Sequence, residues 1–155
     1  MKSTRVTSIV ILLAVIGFII PSCHKGKKVT NVSSAGSSKS HNRGQNCMNC
    51  HKSGGEGAEG GWFQAAGTVY DSLQNNTVSS GNVYFYTGPN GKGTVKYTLQ
   101  VDALGNFYTT NAMDFGTGLY PAIQGQTLTK HMVSSITTGQ CNSCHGVTTG
   151  KIWVK

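Results

Sequence analysis

Val95-Lys96-Tyr97-Thr98-Leu99-Gln100-Val101 is the stretch that decides the fold class. Apolar or aromatic residues at every second position, with polar ones between, have the two-residue period of a strand that buries one face. Working outward, Gln64 to Tyr70, Asn82 to Thr87, Asn106 to Thr110, Gly118 to Ile123 and Lys151 to Val154 read as further strands. They are separated by turn chemistry at Asn75-Asn76, Gly88-Pro89-Asn90-Gly91 and Ala103-Leu104-Gly105. No segment from Trp62 to Thr127 has helical periodicity, whereas Thr127 to Thr137 is expected to form one short helix. Short strands at this spacing predict a mainly β protein, a small antiparallel sandwich.

The segments Gly67-Thr68-Val69-Tyr70-Asp71 and Asp102-Ala103-Leu104-Gly105-Asn106-Phe107 carry a resemblance. Through them the chain is similar to the small transthyretin-like or carboxypeptidase-regulatory-like domains of Ig type. The resemblance spans about 60 residues and implies a fold without an activity, since such domains are mostly binding or spacer modules. Twelve of the thirteen aromatics lie between Trp62 and Trp153, which locates the core. Apolar content is only 37% and part of it belongs to the N-terminal segment, so the side chains alone supply a modest core.

Two stretches flank this strand region and repeat each other: Cys47-Met48-Asn49-Cys50-His51 and Cys141-Asn142-Ser143-Cys144-His145. In a helical turn, residues three and four apart share one face, so two thiols and an imidazole point the same way. That arrangement suits a porphyrin bonded by two thioethers with the imidazole on its iron. The expectation is two covalently attached c-type haems, on turns or short helices at both ends of the sandwich. Cys47, Cys50, Cys141 and Cys144 would hold the porphyrins, and His51 and His145 would be proximal ligands. C-x-x-C spacing alone would also allow a zinc knuckle, two disulfides or a thioredoxin-like pair. The histidine directly after each pair favours haem, and the strand pattern lacks the βαβ setting of a thioredoxin-like site.

Of the remaining histidines, His41 and His131 precede their motifs and are the expected distal ligands, either each to its own haem or crossed. His24 adjoins Cys23 and reads as a bystander, and Met132 and Met113 are competing thioether ligands. If the first and last strands run side by side and parallel, both haems share one end of the sandwich. Trp62, Phe63, Tyr120 and Trp153 would pack against the porphyrins or fill the sandwich core.

Met1 to Arg5 carries two positive charges and precedes an apolar run from Val6 to Ile20, too short for a spanning helix and suited to a secretory leader. Ile20-Pro21-Ser22-Cys23 follows and resembles the lipobox of bacterial lipoproteins, which implies cleavage after residue 22 and lipidation of Cys23. The expected organisation is therefore a signal peptide at 1–22, a lipidated flexible linker at 23–45 and a single dihaem β-sandwich domain at 46–155. The formal net charge of +8 comes from thirteen Lys and Arg against five acids. Much of it lies in Lys25, Lys27, Lys28, Lys39, Arg43 and Lys52, a solvated and membrane-facing tether rather than a nucleic-acid site.

Together these features resemble the small multihaem lipoproteins of Gram-negative bacteria. The implied function is outer-sphere electron transfer by an exported, lipid-anchored protein in the periplasm or on the cell surface, with other cytochromes or membrane oxidoreductases as partners. No enzyme activity is expected, because Glu56, Glu59, Asp71, Asp102 and Asp114 sit in loops or turns without a paired histidine. One rival is a haem enzyme or gas-binding protein with one five-coordinate iron; the other is an adhesion module with accessory haems.

Overall fold

The computed structural model describes residues 29–155. The expected leader and the expected lipidation site Cys23 lie outside them, and no helix among the described residues is long and apolar enough to cross a membrane. The described residues form eight strands: β1 (Ala65–Tyr70), β2 (Asn82–Tyr86), β3 (Val95–Gln100), β4 (Asn106–Thr109), β5 (Tyr120–Gln124), β6 (Thr129–His131), β7 (Gly139–Gln140) and β8 (Ile152–Trp153). The second sheet has the order β3-β2-β5-β6, antiparallel throughout. In the first sheet β4 pairs antiparallel with β1, and β7 and β8 both pair parallel with β1. The protein is thus a mainly β sandwich.

Between the sheets lie Phe85, Phe107, Leu119, Val69, Val101 and Val154, each almost fully buried. Alternation along β1 puts Ala65 and Val69 into this core. Ala66 faces the opposite way, into a smaller cluster with Phe63 and Tyr108 against which Cys47 and Met48 pack. β1 is therefore covered on both faces, with the first Cys-rich motif forming the outer cover. Gly67 has no side chain because there is no room for one: a Cβ there would lie 2.5 Å from Phe107 and 3.0 Å from the Cys141 Cβ.

β7 and β8 take successive parts of the same edge of β1, β7 opposite Ala65 and Ala66, β8 opposite Val69 and Tyr70. The second Cys-rich motif is the excursion between them. Thr68 falls in the gap, and its N–H donates instead to the side-chain Oδ1 of Asn142 at 3.1 Å. An amide side chain completes the sheet edge that the motif interrupts.

Two expectations change. The segment from Thr127 to Thr137 is not a helix: it contributes β6, whose Thr129, Lys130 and His131 pair with Gln124, Ile123 and Ala122. A short segment with few intrahelical bonds gains more from a strand partner than from isolated helical turns. The Ser- and Gly-rich stretch before the first motif is also laid down on the sandwich from Asn31 onward, rather than standing off as linker. Val32 bridges Thr109, and Ser33 Oγ donates to the Gln100 carbonyl at 2.7 Å and accepts from the Tyr108 N–H at 3.0 Å. This strap covers the otherwise open edge of β4. Val95, by contrast, stays 46% exposed at the start of edge strand β3, so the alternating stretch buries its face only toward Leu99 and Val101.

Candidate haem sites

Each Cys-rich motif folds as a single 3-10 turn, Cys47–Asn49 and Cys141–Ser143. In the first, Asn46 caps the turn by accepting from the Met48 N–H at 3.2 Å, and the N–H groups of Cys50 and His51 both donate to the Cys47 carbonyl. The second repeats the pattern, with Cys144 and His145 donating to Cys141. Cys50 and Cys144 are exposed while Cys47 and Cys141 are half-buried, and all four are unbridged thiols. Loss of hydration pushes the Cys141 thiol up to about 12 and raises that of Cys47. In the metal-free protein both are thiols at neutral pH, the form that adds to a vinyl group, and neither is an activated nucleophile. Among the described residues no three His, Cys, Asp or Glu side chains converge to hold a bare ion.

His51 is buried, its ring stacked on Phe63 at 4.0 Å and 8°, and Phe63 stacks in turn on Tyr108. Its Nδ1 lies 3.3 Å from the Gly61 carbonyl. A carbonyl can only accept, so Nδ1 carries the proton and Nε2 keeps its lone pair. Burial lowers the His51 imidazole from its ordinary value, which favours the neutral form that a metal requires. The loop that wraps this ring needs glycine: a Cβ on Gly57 or Gly60 would come within 3.1 or 2.8 Å of the imidazole.

His41 stands over the same site, its ring centroid 5.8 Å from that of His51. Two imidazoles on one metal, each bonded at about 2 Å, hold their centroids about 6 Å apart. His41, Cys47, Cys50 and His51 line one small cavity of about 70 Å³.

The second motif opens on a larger cavity of about 380 Å³, an inlet of the core lined by Cys141, Cys144, His145, Phe107, Ile136 and Trp153 among others. The His145 Nδ1 lies 2.8 Å from the Gly150 carbonyl, which again fixes the proton on Nδ1 and leaves Nε2 for a metal. A flat apolar macrocycle fits this lining better than a hydrated ion would. Lys130 and Lys151 also reach the cavity. Lys130 Nζ sits 3.1 Å over the Trp153 ring, and Lys151 Nζ lies 4.3 Å over Tyr70 while donating to the Gln74 carbonyl. Burial lowers the Lys130 ammonium. Both cations suit the carboxylates of a haem.

His131 reaches the rim of this cavity, but its ring lies 6.1 Å from that of Tyr86 and against Gly91. Met132 lines the cavity, and Met113 packs instead against the main core. Of the aromatics, Phe63 and Trp153 line the two sites, Tyr120 is half-buried on β5, and Trp62 is 54% exposed.

The two motifs lie side by side. Asn142 Nδ2 donates to the Gln45 carbonyl at 3.2 Å and to Thr68 Oγ1 at 3.3 Å, and Asn46 Nδ2 donates to Gln140 Oε1. Thr68 Oγ1 donates to Asn106 Oδ1 at 2.7 Å, and Asn106 Nδ2 donates to Ser40 Oγ and the His41 carbonyl. Thr68, Asn106 and Asn142 are all buried, so one polar network ties the His41 loop, both sheet strands and both motifs together. Sequence reading passed over these three residues. The one available signal was an asparagine, an unusual buried type, between the cysteines of the second motif.

No protein-family model, curated protein or solved structure matches the chain.

Proposed function

We propose that the chain is an exported dihaem c-type protein that carries electrons between redox partners while anchored to a membrane through Cys23. The observation that carries this reading is the second site. There, two thiols and an imidazole with its Nε2 free line one apolar cavity of about 380 Å³. The first site supports it with a repeated motif fold and two imidazoles at 5.8 Å.

Each cysteine thiol would hold the porphyrin by adding across one of its vinyl groups. That addition would form an S–C bond, pass the thiol hydrogen to the neighbouring carbon and consume no oxidant. Cys47 and Cys50 would hold one haem and Cys141 and Cys144 the other, with His51 and His145 as proximal ligands and His41 as distal ligand at the first. When bound, the haem irons supply one-electron chemistry between ferric and ferrous states. The protein's part is to hold the ligands still. Gly61 and Gly150 fix the ring tautomers, Phe63 fixes the plane of His51, and the Asn142 network fixes one motif against the other. Cys50 and Cys144 are exposed, so one attachment edge of each haem would lie at the surface, where a partner protein could dock.

Production with a c-type maturation system followed by a pyridine haemochrome assay tests the reading. Two covalent haems per chain are expected, falling to one in Cys47→Ser/Cys50→Ser and in Cys141→Ser/Cys144→Ser. A colourless protein, or one holding stoichiometric zinc, would overturn it.

A further inference from the structure

We propose that Met132, not His131, gives the second iron its sixth ligand, so that the two haems differ in ligation and in potential. The proposal rests on the dihaem reading and on the strand register. Directly opposed residues of an antiparallel pair share a face. His131 opposes Ala122, which opposes Tyr84, and His131 therefore joins Tyr84 and Tyr86 on the outer face of the second sheet. The ring contacts agree: Tyr86 at 6.1 Å, and Gly91 so close that a Cβ there would come within 2.7 Å of Cε1.

The neighbouring residues turn the other way. Lys130 opposes Ile123, which opposes the core residue Val83. The Met132 N–H donates to the Pro121 carbonyl at 2.8 Å, extending the ladder by one residue, and Pro121 opposes the core residue Phe85. Met132 thus returns to the inner face and lines the cavity with Cys141, Cys144 and His145, a cavity that His131 also touches, so the face each residue takes, not the lining, separates the two. Its thioether is a soft, neutral donor that binds iron without losing a proton. Lys130 is on that side too, but its ammonium is seated on Trp153 at 3.1 Å, and ligation would need that contact broken.

The consequence is a built-in direction. Two imidazoles at the first iron give a low potential, and an imidazole with a thioether at the second gives a higher one. Electrons would enter near His41 and settle near Met132.

The test uses the matured holoprotein, with haem counted first so that failure of haem attachment is seen separately. The wild type is expected to be entirely low-spin by EPR, with a far-red thioether–iron charge-transfer band and two separated midpoint potentials. Met132→Leu should keep both haems, lose that band and lower only the higher potential, whereas His131→Ala should leave band and potentials unchanged. Loss of one low-spin signal in His131→Ala, or an unchanged spectrum in Met132→Leu, would overturn the assignment. So would a wild type with two like bis-histidine signals, a high-spin iron, or loss of low-spin character in Lys130→Ala. A protein without haem would overturn the underlying reading as well.

Discussion

Replacing Asn142 by alanine probes the joint on which both sites depend. The residue is 3% exposed; its Oδ1 takes the Thr68 N–H at 3.1 Å, and its Nδ2 donates to the Gln45 carbonyl and to Thr68 Oγ1. Alanine leaves the Thr68 N–H buried without an acceptor, at a cost of about 1–3 kcal/mol. Gln45 is exposed and its carbonyl can turn to water, so losing that bond adds only about 1 kcal/mol. The sum, about 2–4 kcal/mol, corresponds to a fall of about 8–16 °C in melting temperature for a domain of this size. Asn142→Asp should be worse still, because it keeps an acceptor for Thr68 but turns a carboxylate oxygen toward the Gln45 carbonyl in a buried place. Urea unfolding followed by far-UV circular dichroism measures the loss, and amide exchange at Thr68 reads the bond directly. The exposed neighbour Ser143→Ala serves as control, within about 0.5 kcal/mol of wild type. An Asn142→Ala protein inside that same range, with Thr68 protection unchanged, would refute the idea that this side chain stands in for a missing strand.

Gly67→Ala should destabilise by about 1–3 kcal/mol, because its Cβ overlaps Phe107 and presses on Cys141; thermal melts check it, and haem retention at the second motif should fall with it. Ser33→Ala strips the strap of its bond to Gln100 and leaves the Tyr108 N–H unpaired, with an expected loss of about 1–3 kcal/mol in urea titrations. His41→Ala should turn one haem high-spin by EPR and open it to carbon monoxide, with haem content unchanged. The exposed pair Lys96 and Asp114 makes a pH prediction. The hydrogen bond from Lys96 holds the Asp114 carboxyl below its usual range. Its stabilisation is therefore present above the unfolded pKa and fades as pH falls through the folded one. Lys96→Met should lower stability slightly at neutral pH, where the pair is formed, and change nothing once the carboxyl is protonated at acid pH, so that the acid limb of the stability profile flattens.

Much of the architecture is legible in local pattern. The runs around Val83 and Leu99 carry a two-residue period because one side of each must meet the core, and that demand is written into neighbouring residues. The segment from Thr127 to Thr137 is not legible in the same way. Its three-residue strand exists because β5 offers an edge, and no short window records a partner that distant. The strap fails to show for a related reason: Asn31, Ser33 and Ser40 have the composition of a solvated tether, and only their hydrogen bonds to Thr110, Gln100 and Asn106 make them part of the sandwich.

The sequence by itself determined the two Cys-x-x-Cys-His units, their order about a β region and the nitrogen-and-sulfur chemistry they offer, since those depend on residue type and on spacing within one turn. Tertiary structure alone decided that β7 and β8 share the edge of β1, that the two motifs therefore meet through Asn142, and which way His131 and Met132 face. Those outcomes depend on strand pairing between residues far apart in the chain. A shift of one residue in that pairing exchanges the faces of every side chain on the strand.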